Sequence, residues 1–209
     1  MVIGSLLAGL VLGCAAVPAG AMPGRPGAER RSPQLEEHVA ALDDYFLPSL
    51  ASVKRGGTVS WDFTGTRTHS ATDATGMGLY DSGLVAPGGP SFTYVFIAAG
   101  SYAFACTLHV GMGGHVSVPM HVSPATGPVS KRFAVRWASS GAAAGYVFDV
   151  RIQLKGGAWS PWQDGVTVPN ATYRSSAAGR IRFEARLRQS STGLSSDWSD
   201  PVAIRVERS

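Results

Sequence analysis

Cys106-Thr107-Leu108-His109-Val110-Gly111-Met112 is the stretch that decides how this chain is read. It sets a thiol, an imidazole and a thioether on one short segment between two strand-like runs. Upstream, Tyr102-Ala-Phe-Ala-Cys106 alternates apolar and small residues. Downstream, Gly114-His-Val-Ser-Val-Pro-Met-His-Val122 puts Val116, Val118, Met120 and Val122 on one face. The segment is therefore a loop joining two strands. Gly111, Gly113 and Gly114 give it the freedom to turn.

Farther out the same period recurs. Val53-Lys-Arg-Gly-Gly-Thr-Val-Ser-Trp61 reads as a strand, a glycine turn and a second strand, with Val59 and Trp61 alternating with Thr58 and Ser60. Ser91 to Phe96 alternates again. Residues 64–78 form a polar, glycine-bearing loop that carries His69. Leu35 to Leu42 has apolar residues at helical spacing, and Glu36-Glu37 suits a helix N-terminus. We read it instead as a strand or irregular lead-in from about Val39 toward Tyr45-Phe46-Leu47-Pro48. Short strands with turns at this spacing imply a β-sandwich over residues 38–122.

Ser123-Pro-Ala-Thr-Gly-Pro128 marks a turn-rich linker over residues 123–130, after which Arg and Trp become prominent. Arg180-Ile-Arg-Phe-Glu-Ala-Arg-Leu-Arg188 alternates strictly. Ile181, Phe183, Ala185 and Leu187 face a core, and Arg180, Arg182, Glu184, Arg186 and Arg188 face out. Phe133 to Trp137 and Tyr146 to Val150 read as further strands. Residues 131–209 are thus expected to form a second, smaller sandwich, which makes the fold class all-β.

Composition agrees. Charged residues are 15% of the 209, while 26 glycines and 13 prolines suit short strands joined by turns. The net charge of +4 favours an acidic partner. The sequence shows no clustered basic stripe and no nucleic-acid motif, so no nucleic-acid partner is expected. Residues 1–21 read as an export signal, because Val2 to Val11 is too short an apolar run to span a bilayer. Ala19-Gly20-Ala21 offers one cleavage site, and Val11-Leu-Gly-Cys14 resembles a lipobox that would lipidate Cys14. Residues 22–37 read as a flexible tether. The expected location is extracellular, at the cell wall or anchored to a membrane. With Cys14 in the signal, Cys106 stands alone in the folded part. A lone thiol in an exported protein points to a ligand more than to a packed hydrophobe.

His69, Cys106, His109 and Met112 supply two imidazoles, a thiolate and a weak thioether, the donor set of a mononuclear copper site that cycles between Cu(I) and Cu(II). Such a set leaves no open coordination position, which suits an electron carrier and not an enzyme. His38, His115 and His121 are read as surface histidines. No Ser/His/Asp or carboxylate constellation has catalytic spacing.

The segment Cys106 to Met112, followed by Gly114-x-Val116, resembles the plastocyanin/amicyanin group of cupredoxins. So do Val53-Lys-x-Gly56-x-x-Val59-x-Trp61, Asp81-Ser82-Gly83, Pro87-Gly88, Ser91-Phe92 to Phe96 and Ala99-Gly100-x-Tyr102. The resemblance implies a Greek-key β-sandwich and one copper ion held by His69, Cys106, His109 and Met112. It also implies that His109 lies near the surface as the electron exit, and that redox proteins are the partners of a monomeric chain. Ser70 stands where the family often has an asparagine tying the two ligand loops. Gly57 replaces an acidic residue common in the family. Residues 131–207 resemble a fibronectin type III module through Phe133-x-Val-x-Trp137, the Arg180–Arg188 strand and Ser196-Asp-Trp198-Ser-Asp-Pro201. Ile181 takes the place of that module's corner tyrosine. Trp159, Trp162 and Trp198 with Arg182, Arg186 and Arg188 are expected to stack as a structural brace, in preference to a ligand-binding surface. Two other functions fit the same residues: copper sequestration without a redox circuit, and surface adhesion through the second module with a passive first half. Asn170-Ala-Thr172 matches a glycosylation acceptor, which we expect to be idle.

Overall fold

The computed structural model describes residues 33–208; the expected export signal, Cys14 and most of the expected tether lie outside the described residues. Every regular element among the described residues is a strand.

The first half contains β1 (Gln34–Ala41), β2 (Phe46–Leu47), β3 (Leu50–Phe63), β4 (Thr72–Asp73), β5 (Phe92–Phe96), β6 (Gly100–Ala105) and β7 (Gly113–Val118). Their order is β2-β1-β3-β7-β6-β4, with β5 also on β3. β3 is shared by both layers. Leu50–Ser52 pairs in parallel with His115–Ser117 of β7, and Gly57–Trp61 pairs antiparallel with β5. The expected turn at Gly56-Gly57 is instead a kink within one strand. Gly56 sits at φ +81°, and the β1–β3 register slips there. Val53 before the kink and Val59 after it are both buried. The kink explains why Gly57 carries no acidic side chain, since a Cβ there would lie 2.8 Å from the Lys54 carbonyl oxygen.

β1 begins at Gln34, earlier than Val39, and takes Gln34–Glu37 out of the expected tether. Parallel pairing with β3 overrides the helical spacing, and Glu37, Val39 and Ala41 turn inward at period two. Between the layers Trp61 packs on Phe104 and Tyr80, with ring centroids 5.5 and 5.2 Å away.

The remaining strands are β8 (His121–Ser123), β9 (Thr126–Pro128), β10 (Phe133–Arg136), β11 (Tyr146–Leu154), β12 (Trp159–Val166), β13 (Asn170–Tyr173), β14 (Gly179–Gln189) and β15 (Val202–Glu207). They form two sheets, β13-β10-β8 and β12-β11-β14-β15-β9. The segment expected as a linker is therefore built into the second half. β8 pairs with β10, and β9 pairs with β15. Pro119 has no N–H with which to prolong the β7 ladder, so the chain leaves one sheet and joins another. Val122 consequently stands in a different sheet from Val116 and Val118. Along β14, Ile181, Phe183, Ala185 and Leu187 are buried, the face expected from the sequence.

The two halves meet through backbone bonds. Ser101 and Asp197 exchange N–H···O=C bonds of 3.0 Å, Ala99 N–H donates to Trp137 O, and Ser139 N–H donates to Ile97 O. The described residues, 33–208, pack as one unit.

The expected stack in the second half is partly reordered. Arg151 lies 4.9 Å from the Trp159 ring and 4.2 Å from the Trp198 ring, Arg186 lies over Trp198, and Arg182 over Trp159. Trp162 turns the other way, against Trp137, Tyr173 and Phe183. Three residues along β12 from Trp159, it falls on the opposite face of the strand, at a shift in the β11–β12 register. Arg188 leaves the stack and binds the Asp149 carboxylate.

Candidate metal centre

Two loops converge at the rim of the first half. Cys106 is the first residue past β6, at the point where the strand leaves its ladder. The loop it opens is closed by its own last residue: Cys106 N–H donates to Met112 O at 2.9 Å, and Met112 N–H to His109 O at 3.2 Å. Gly111 sits at φ +84°, the left-handed conformation that this tight turn needs. The second loop carries His69, held by a two-way backbone bridge to Val85.

The structure brings three of the four sequence-predicted donors directly together. Cys106 Sγ lies 3.4 Å from His109 Nδ1 and 3.8 Å from His69 Nδ1, and the donor atoms of all three residues lie within 4.8 Å of one another. Met112, the fourth, is buried. Its backbone is bonded to both Cys106 and His109, so its side chain starts from the same rim. His69 is fully buried and His109 half-buried. Leu108 and Val110, which flank His109, are exposed. His38, His115 and His121 are exposed and apart from the site, and His38 Nδ1 is 2.9 Å from Asp62 Oδ2.

These separations fit a shared ion. Two nitrogens at about 2.0–2.1 Å and a sulfur at about 2.3 Å from one metal, at trigonal to tetrahedral angles, place each N···S pair about 3.5–3.8 Å apart. Both Nδ1 atoms face the same sulfur, while His69 Nε2 is buried without a hydrogen-bond partner. Burial, and then the neighbouring His109, hold the His69 imidazole below its ordinary pKa. The neutral ring is the form that ligates a metal. One thiol and two imidazoles, with a buried methionine on the same loop, are consistent with one copper ion.

Ser70 does what the sequence did not reveal. Its Oγ accepts the Thr107 N–H at 2.9 Å and lies 3.0 Å from the Thr107 and Thr72 hydroxyls. Its N–H points at Cys106 Sγ, 3.4 Å away. A serine hydroxyl, aided by Thr107, therefore ties the loops in place of an asparagine. The signal available in the sequence was a hydroxyl residue next to each of two expected ligands, Ser70 after His69 and Thr107 after Cys106.

No protein-family model matches the chain, and no curated protein matches it. Solved structures do. The chain is similar to a purple cupredoxin from Nitrosopumilus maritimus at 21% identity, over 39% of this chain and 98% of that one, with a TM-score of 0.36. It is similar to a point mutant of amicyanin in its reduced Cu(I) form, at 24% identity over 39% of this chain and 80% of that one, TM-score 0.36. It is also similar to a mutant plastocyanin of fern, at 23% identity over 40% of this chain and 100% of that one, TM-score 0.35.

Proposed function

We propose that this chain is an exported blue copper protein of the cupredoxin type. It holds one copper ion through His69, Cys106 and His109, with Met112 as a weak fourth donor, and carries single electrons between protein partners. The observation behind this reading is the convergence of two imidazole Nδ1 atoms on one buried thiol sulfur.

When bound, the ion supplies the one-electron couple. The protein's part is to keep the donors where both oxidation states accept them. The Ser70–Thr107 tie fixes the distance between the His69 loop and the Cys106 loop. The Ser70 N–H is directed at the Cys106 sulfur and helps to hold it in place. His69, fully buried, is shielded from water. His109, half-buried between exposed Leu108 and Val110, gives a partner short access to a ligand ring. We read the chain as a carrier and not an enzyme because four protein donors leave a copper ion no position for substrate.

The test is a visible spectrum with metal stoichiometry. The copper-loaded protein is expected to bind one ion, absorb intensely in the visible and bleach reversibly with a mild reductant. Cys106→Ser is expected to lose the band entirely. A colourless copper complex, or colour retained by the serine variant, overturns the assignment.

A further inference from the structure

The sequence scatters its basic residues through the second half, but the topology gathers many of them at one end. β10 begins at Phe133, preceded by Lys131 and Arg132. β13 ends opposite it at Tyr173, followed by Arg174. β11 ends at Leu154, followed by Lys155, whose N–H donates to Arg180 O at the start of β14. β15 ends at Glu207, followed by Arg208. All of these cationic side chains are exposed, and Glu207 is the carboxylate that the same strand ends bring among them. Elsewhere in this half the arginines 151, 186 and 188 are paired with Glu184 or Asp149.

At the centre of this end, Arg180 and Arg205 are direct cross-strand neighbours on β14 and β15. Like charges in that position repel and destabilise the sheet. Beside them is an open depression of about 720 Å³, lined by Arg180, Arg205 and Arg208, by the Glu207 carboxylate, and otherwise by small or aliphatic residues of the same strand ends.

We propose that this end of the second half is a docking surface for a linear phosphate polymer that lacks bases. The row of guanidinium groups matches phosphate oxygens in geometry and charge. The depression carries no aromatic side chain on which a base could stack, which argues against single-stranded nucleic acid. Leu154 is the large apolar residue exposed at this end, and one such residue makes a poor anchor in a bilayer. The end is also remote from the first half. β11 runs from Tyr146, whose hydroxyl donates to Met77 O, to Leu154, roughly 25–30 Å away at about 3.3 Å per residue. A polymer held there leaves the junction with the first half uncovered.

The experiment uses the purified full chain with three probes: long-chain polyphosphate, phosphatidylglycerol–phosphatidylcholine vesicles and polyglutamate. Polyphosphate is expected to bind, with log K falling linearly in log salt. The double variant Arg180→Gln/Arg205→Gln is expected to weaken binding about tenfold and to flatten the slope by about 1.4, as for two lost phosphate contacts. Arg67→Gln, on an exposed loop of the first half, is expected to match the parent. Unchanged binding by the double variant overturns the proposal. So does vesicle or polyglutamate binding as tight as polyphosphate at equal charge, which would assign the end to a membrane or to an acidic protein.

Discussion

Both halves of this protein bury polar side chains, but they treat them in opposite ways. In the second half the Asp149 carboxylate is almost wholly covered, yet it accepts hydrogen bonds from Arg188 Nε and Nη2, Arg186 Nε and the Gly165 N–H. Glu184 is likewise held by Arg151. In the first half His69, Cys106 and His109 turn their donor atoms toward one another, and His69 Nε2 has no partner at all. An unsatisfied buried polar group costs about 1–3 kcal/mol, so a fold keeps such an arrangement only where something else gains from it. Polar groups satisfied from within are braces. Donors that converge on a common point are a site.

Breaking the brace is expected to have the largest effect on stability. Burial alone would raise the Asp149 carboxyl, but the hydrogen bonds from Arg188, Gly165 and Arg186 outweigh it and hold the group far below the usual carboxylate range. Because its folded pKa is depressed, the stability it contributes is fully present above the unfolded value of about 4 and is lost as pH falls toward the folded value. Asp149→Asn is expected to cost about 2–3 kcal/mol at pH 7, below the figure for a fully buried pair because the arginines are partly exposed. Urea unfolding of parent and variant from pH 7 to pH 3 checks this. The gap should hold above pH 5 and narrow below pH 4, and a gap independent of pH would refute the role given to the carboxylate. The visible spectrum of the copper-loaded first half should not change.

The site has its own brace, and Ser70→Ala probes it. The variant leaves the Thr107 N–H without its acceptor and removes the hydroxyl contacts to Thr72 and Thr107. The expected loss is about 1–2 kcal/mol, read by denaturant unfolding. In contrast to Asp149→Asn, the change should also shift the visible band of the copper-loaded protein, because the Ser70 backbone that faces Cys106 is no longer fixed. An unshifted band would mean that the loops hold their places without this tie.

What the sequence disclosed and what it withheld divide along a physical line. Periodicity showed the inward face of β14, and donor chemistry singled out His69, Cys106, His109 and Met112, of which the structure brings the first three directly together; period and residue type can be read without knowing which strands pair. Pairing across long sequence distances stayed hidden. Nothing near Gly56 tells a kinked strand from a hairpin, since the difference lies in whether β7 and β1 are available to flank β3. Nothing near Val122 says that the chain has changed sheets. Arg151 escaped notice as the centre of the Arg–Trp stack because its partners lie elsewhere in the chain, Trp159 on β12 and Trp198 beyond β14. The basic end of the second half is the same lesson in charge: spread through the sequence, its residues come together only at the ends of strands.

The smallest effect tests that stack. Arg151 is held between two indole rings, whereas Arg182 caps one end at 5.7 Å from Trp159 and also donates to Gln153 Oε1 at 3.1 Å. An end position with one ring face gains less than an enclosed one, about 0.5–1 kcal/mol where solvent reaches the pair. Arg182→Gln is therefore expected to lower stability by about 0.5 kcal/mol. A double-mutant cycle with Trp159→Ala should return a coupling of the same size. Zero coupling would show that the outer guanidinium is only a solvated charge. A coupling above about 2 kcal/mol would show that the stack acts as one cooperative unit, as tightly satisfied as Asp149 and further from the open, converging donors of the first half.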